Sequence, residues 1–260
     1  MTTSSQSITK MIEQLLERGE IALVVTNVSG PGRIGSKLLI QENGATAGSL
    51  GDPELDSIVM AQAASFLASR DETRMVSVSD ASLLFERLQP APRLVICGAG
   101  HVGASLARLA AFAGYQTTLI DDRADFVKRE LFPEKQIELV LADDWSSTVR
   151  DVIRNGRGVS VAVVTRGHNE DEQCMQAVVR ANPDYVGLIG SKRRTSIVIE
   201  RLCESGIPEE QLQNIHAPIG LDIGAVTPEE VALAILAEIV AEGRGATGSS
   251  LSTWRRHKKS

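Results

Sequence analysis

The chain has 260 residues, 43% of them apolar, and a formal charge of −6. That length allows one large domain or two modest ones with a sizeable core, and the acidic balance argues against a general nucleic-acid surface. Aromatic residues make up only 3% and three cysteines stand far apart, which excludes base-stacking platforms in number, a disulfide framework and a zinc pattern.

The opening "MTTSSQSITK" lacks the apolar run of a signal peptide, and no stretch reaches the ~18–20 apolar residues that span a bilayer. A cytoplasmic protein with no membrane partner is expected. Residues 8–18, "ITKMIEQLLER", place Ile8, Met11, Ile12, Leu15 and Leu16 on one helical face. "IALVVTNV" (21–28) and "SKLLIQ" (36–41) read as strands around the Gly/Pro-rich loop "SGPGRIG", and Asn43-Gly44 marks a turn. A helix is expected over 54–68, followed by strands at "TRMVSVS" and "ASLLFERLQ". Together these form a smaller α+β domain over 1–89, closed by the Pro90-Ala91-Pro92 boundary.

Beyond that boundary short apolar strands alternate with helices. The strands are Arg93–Cys97, Gln116–Asp121, Glu138–Leu141, Val159–Thr165 and Tyr185–Ile189. Helices are expected near 101–114, 124–131, 145–155, 169–182 and 191–205. Such alternation predicts an α/β, doubly wound, Rossmann-like parallel sheet domain over 90–243, with strand order 3-2-1-4-5. A last helix starts at Thr227, with Pro228 in its first position, Glu230 completing a capping box and Gly243 as its stop. Its apolar centre predicts burial. Residues 244–260 read as a flexible tail ending in the basic run Arg255-Arg256-His257-Lys258-Lys259.

The first strand of this domain runs into "CGAGHVG". Gly98 permits the tight turn, Gly100 lets backbone approach a phosphate, and Gly103 seats the helix against the sheet. The helix start offers free N–H groups to an anion, and Asp121 in "LIDDR" stands where a ribose-binding acid belongs. On this reading alone, a nicotinamide (NAD(P)) oxidoreductase is one candidate. His101 inside the turn either faces solvent or donates to a ligand.

Three further loops belong to the same sheet edge. "VVTRGHNEDE" brings Thr165, Arg166, His168 and Asp171 opposite the glycine turn. "LIGSKRR" places Ser191, Lys192, Arg193 and Arg194 at a helix start, where cations oppose the dipole unless an anion is bound. "HAPIGLDIGAVTPEE" brackets Asp222 between Gly220 and Gly224. Cys97, just before the turn, is either a small buried hydrophobe or a thiol near the crevice. No catalytic triad, nucleophile signature or paired metal-ligand motif is found.

In this order and context the five quoted segments, from "PRLVICGAGHVG" to "HAPIGLDIGAVTPEEVALAILAEIV", resemble the XdhC/CoxI family of accessory factors for molybdenum hydroxylases. The likeness is close over 90–243 and looser through "SGPGRIGSKLLIQENGATAGSLG" in the first domain. It implies a non-catalytic chaperone that binds the molybdenum cofactor, as molybdopterin or its cytosine dinucleotide. Such a factor supports exchange of an oxo ligand for sulfur by a cysteine desulfurase. It then delivers the cofactor to an apo molybdenum hydroxylase such as xanthine dehydrogenase or carbon monoxide dehydrogenase. A homodimer is implied as well. The cofactor-binding candidates are then Gly98, Gly100, His101, Gly103, Asp121, Arg166, His168, Ser191, Lys192, Arg193, Gly220 and Asp222, with Cys97, His101 and His168 as candidates for the molybdenum end and Arg33 of "GPGRIG" as a basic contact. One departure stands out: many members carry a Gly-Gly-Cys-x-Glu-like segment, whereas "GSLGDPELD" has Asp52-Pro53 for the glycines, Glu54 for the cysteine and Asp56 for the acid.

Overall fold

The computed structural model describes residues 5–69, 71–154 and 156–252, and they divide into two compact units at the Pro90–Ala91 bond. The basic run Arg255–Lys259 lies outside the described residues. Among the described residues no helix is long and apolar enough to cross a membrane.

The first unit comprises helix α1 (Ser5–Glu17), strands β1 (Ala22–Ser29), β2 (Lys37–Gln41) and β3 (Thr46–Gly48), helix α2 (Pro53–Leu67), and strands β4 (Thr73–Val78) and β5 (Ala81–Leu88). All neighbours are antiparallel in the order β3-β2-β1-β5-β4. Side chains alternate across a strand, so β1 serves two cores. Leu23 and Val25 join Leu38 and Ile40 against Leu55, Val59, Ala63 and Phe66 of α2. Ala22 and Val24 join Leu39 against Ile8 and Leu15 of α1. The short β3 is absent from the sequence reading, because its Thr46-Ala47-Gly48 carries only one β-branched residue.

The second unit opens with β6 (Arg93–Cys97), α3 (His101–Phe112), β7 (Gln116–Asp121), β8 (Ile137–Leu141), α4 (Trp145–Ile153) and β9 (Val159–Val163). It continues with α5 (His168–Ala181), β10 (Tyr185–Leu188), α6 (Lys192–Glu204), α7 (Glu209–Leu212), β11 (Ile215–His216) and α8 (Pro228–Gly243). The strands are parallel in the order β11-β10-β9-β6-β7-β8. That is the expected doubly wound order with one extra edge strand, β11. Helices α4, α5 and α6 cover one face around Val95, Val161 and Leu188; α3 and α8 cover the other around Leu94, Ile96 and Ala162.

Two expectations are corrected. The helix expected at 124–131 resolves into two short 3-10 turns, Ala124–Phe126 and Arg129–Leu131, which lack the length for an α-helical turn to propagate before Pro133. Helix α8 is buried on one side only: Ile235 is fully covered, whereas Leu233 is 51% and Val240 41% exposed. Its capping box forms as expected, with Thr227 Oγ1 accepting from Glu230 N–H and the Glu230 carboxylate accepting from Thr227 N–H.

Candidate functional site

In a doubly wound sheet, ligands sit outside the carboxyl ends of the strands where the strand order reverses. Here that point lies at β6, flanked by β7 and β9. A cleft of about 520 Å³ opens there. Val102, Phe126, Val164, Ile189 and Pro228 form its apolar wall. Its polar rim carries Gly98, Gly100, His101, Thr165 and three arginines: Arg123, Arg166 and Arg194.

The glycine turn owes its three glycines to different causes. At Gly98 (φ +111°) a Cβ would lie 2.7 Å from the Val164 carbonyl oxygen, and at Gly103 it would lie 1.8 Å from the Gly98 carbonyl oxygen. These two let the turn and helix pack against neighbouring backbone. A Cβ on Gly100 would meet nothing within 4 Å, so this position opens onto the cleft. Helices α3 and α5 both start from a glycine, Gly100 and Gly167, with no side chain capping the first turn. Their N-terminal N–H groups and the dipole's positive end suit an anion. Helix α6 differs, because the Ser191 side chain accepts from its own Arg194 N–H.

Asp121 does not present its carboxylate to the cleft. It is buried, with Oδ2 accepting from the Ala99 N–H at 2.7 Å and from Arg123 Nη2 at 2.9 Å. Oδ1 accepts from Arg123 Nε at 2.8 Å and from the Arg123 N–H at 3.0 Å. Burial alone would raise this carboxyl; the bonds from Arg123 and Ala99 outweigh it and hold the group below its ordinary range. The expected ribose ligand thus serves to brace the glycine turn and to anchor Arg123, whose guanidinium lies 3.6 Å over the Phe126 ring.

Arg166, just past β9, reaches Asp122 at 3.0 Å and Glu170 at 3.4 Å. Arg194 turns inward from α6 to Asp171, which is fully buried and also accepts from the Thr165 hydroxyl. Burial pushes the Asp171 carboxyl above its usual value, against the pull of Thr165 and Arg194.

The remaining candidates are placed as follows. His168 is the exposed first residue of α5, and neither it nor the exposed Ser191, Lys192 and Arg193 contributes to the cleft lining. Gly220 takes a positive φ of +104° beside Ala234 of α8, and its N–H donates to Glu238, which also accepts from the Tyr185 hydroxyl. That network secures the "HAPIG" loop, while Asp222 is exposed and outside the lining. Of the two readings open for Cys97, the structure shows the small buried hydrophobe. Its thiol is fully buried and packs beside Cys174 in the core covered by α4–α6, because the last position of β6 faces that side of the sheet. Cys203 is exposed near the end of α6.

In the first unit, Arg33 is exposed in the β1–β2 loop, with its N–H donating to the Leu50 carbonyl. The departing segment has a structural use: Asp52 caps α2 by accepting from the Glu54 and Leu55 N–H groups, and Pro53 occupies the first turn. Asp56 accepts from the Ser49 hydroxyl and the Leu50 N–H.

The sequence alone singles out neither Arg123 nor Phe126, and it offers Arg194 only as one of a basic run. The available signal was position: Arg123 follows the strand-end acid, on the same edge as the glycine turn.

Comparison with known proteins gives a consistent picture. The XdhC Rossmann domain family matches residues 94–239, and the XdhC and CoxI family matches residues 15–79. A "probable xanthine dehydrogenase" component of Bacillus subtilis (strain 168) is 31% identical over 61% of this chain and 45% of its own length. "Molybdenum cofactor insertion chaperone PaoD" of Escherichia coli (strain K12) is 27% identical over 58% of this chain and 40% of its own. The chain therefore spans less than half the length of both relatives. The crystal structure of a xanthine dehydrogenase from Bacillus halodurans shares the fold, with a TM-score of 0.70 and 20% identity over 94% of this chain and 69% of that one.

Proposed function

Because the chain belongs to the XdhC and CoxI family, we propose that it binds the molybdenum cofactor in the cleft of its second unit and supports insertion of that cofactor into a molybdenum hydroxylase. One observation carries this reading: the cleft joins apolar walls to the uncapped start of α3 and three arginines, in a chain similar to a molybdenum cofactor insertion chaperone. An anionic pterin needs both, a flat apolar slot for its rings and donors for its phosphate. Gly100 and His101 at the start of α3, with Arg123 and Arg166, would hold the phosphate, and Val102, Phe126 and Val164 would flank the rings. Among the described residues no group of His, Cys, Asp and Glu could hold a metal ion. The protein would therefore grip the organic part. The metal's oxo and sulfido chemistry belongs to the cofactor itself.

Several finer points belong to the same proposal. A cysteine desulfurase would supply sulfur to the held cofactor, with xanthine dehydrogenase or carbon monoxide dehydrogenase as client. With Cys97 and Cys174 both in the core, this chain would hold the cofactor rather than relay sulfur through a thiol in the cleft. We also propose that it works as a cytoplasmic homodimer and takes either molybdopterin or its cytosine dinucleotide. Use of NAD(P) in the same cleft is the weaker reading, because both oxygens of Asp121 are engaged within the chain.

The test is uptake of molybdopterin, released anaerobically from a molybdoenzyme, by wild type and Gly100→Asp. Wild type is expected to retain it, and the variant, with a carboxylate where the phosphate would sit, to lose most of it. Failure of wild type to bind while a known carrier binds alongside contradicts the proposal. A melting shift with NAD(H) but none with molybdopterin would favour the oxidoreductase instead.

A further inference from the structure

Strand β6 lies between β7 and β9, so anything joining the loops after β7 and β9 must cross the glycine turn. One ion pair does so. Arg166 Nη2, past β9, lies 3.0 Å from Asp122 Oδ2, past β7. Asp122 also lies 3.8 Å from Arg123 Nε. Both arginines line the cleft. The neighbouring acid Asp121 is buried and committed to Ala99 and Arg123, whereas the Asp122 side chain remains 30% exposed.

We propose that Asp122 is an internal competitor for the ligand's phosphate, forming with Arg166 an ionic strap across the glycine turn that the incoming anion must displace. The idea rests on the cofactor-binding reading and adds a residue that sets how tightly the anion is held. A carboxylate and a phosphate oxygen make the same charge-assisted bond to a guanidinium. Asp122 occupies the Arg166 donor that a phosphate over Gly100 would use. Binding exchanges one anion for another, which weakens the grip and favours release to a client. Glu170, one helical turn from Arg166 on α5, is the second partner at 3.4 Å and holds the guanidinium in place when Asp122 is displaced. The Arg166 side chain is 50% exposed, so the pair is screened and the exchange is modest in energy. Pairs of this kind correspond to about a two- to fivefold change in affinity.

The experiment measures inorganic pyrophosphate binding by calorimetry and molybdopterin uptake on the full chain. Four proteins are compared: wild type, Asp122→Asn, Arg166→Gln and Asp125→Asn. The last removes the same charge from the same loop, where Asp125 pairs with Lys128 rather than with a cleft arginine. Asp122→Asn is expected to bind pyrophosphate about two- to fivefold tighter than wild type. Arg166→Gln should bind more weakly, and Asp125→Asn should match wild type. A gain of affinity cannot arise from misfolding. The strap is overturned if Asp122→Asn is unchanged or weaker, or if Asp125→Asn gains as much, which would mark a general field effect. Binding by Asp122→Asn where wild type is silent supports the strap. If no protein takes up pyrophosphate or molybdopterin, the cofactor-binding reading falls and the strap with it.

Discussion

A carbon atom separates two glycines that look alike in the glycine turn. At Gly103 an added Cβ would sit 1.8 Å from the Gly98 carbonyl oxygen, whereas at Gly100 it would meet open space. Gly103→Ala should therefore destabilise the second unit, by at least the ~1–3 kcal/mol typical of overpacking, because backbone rather than a pliable side chain must move. Gly100→Ala should leave stability within ~1 kcal/mol of wild type while weakening ligand uptake. Urea titrations of the two variants check this; equal destabilisation would contradict the assignment of distinct roles. Residue roles were the hardest thing to read from sequence. All three glycines fit one motif, and only the surrounding atoms separate packing from access. Cys97 was open for a related reason. A strand buried on both faces is apolar throughout, so periodicity cannot say which side its last residue takes. Asp121 was found as an important acid, but its partners Ala99 and Arg123 are set by the turn's three-dimensional path.

Helices α5 and α6 are joined at their starts by Asp171 and Arg194. The acid is fully buried, while the Arg194 side chain is 25% exposed and can reach water. Removing the arginine therefore harms more than removing the acid. Arg194→Met would strand a buried carboxylate and should cost ~3–5 kcal/mol near neutral pH. The carboxyl is already pushed up by burial. A raised carboxyl contributes stability below its unfolded value, and this is lost as pH rises through the folded value. The deficit of Arg194→Met should thus shrink on acidification towards pH ~4, as Asp171 takes up a proton. Denaturant midpoints from pH 7 to 4 measure this, and a constant deficit would show that the pair acts only through packing. At this scale much was legible. Strands β6 and β7 fall at the expected residues, and the capping box at Thr227 forms, because apolar runs and caps are local signals. The 3-10 turns at 124–131, the short α7 and β11, and the exposed side of α8 were not, since tertiary context decides them.

For the whole molecule, the order of the strands matters most. It turns four loops, far apart in the chain, into one edge and sets Arg123, Arg166 and Arg194 around a single apolar-walled cleft. Doubly wound order was predictable from the alternation of strands and helices, but which basic side chains turn inward was not. Of the run Lys192-Arg193-Arg194, the cleft takes only Arg194. If this cleft carries the molybdenum cofactor, as proposed, the chain should retain it through isolation. Native mass spectrometry of the chain isolated anaerobically from cofactor-producing cells, beside Gly100→Asp, tests it most directly. A pterin-containing adduct is expected on wild type, and its loss from the variant. A wild-type protein free of pterin, or one carrying a nicotinamide dinucleotide, would contradict it.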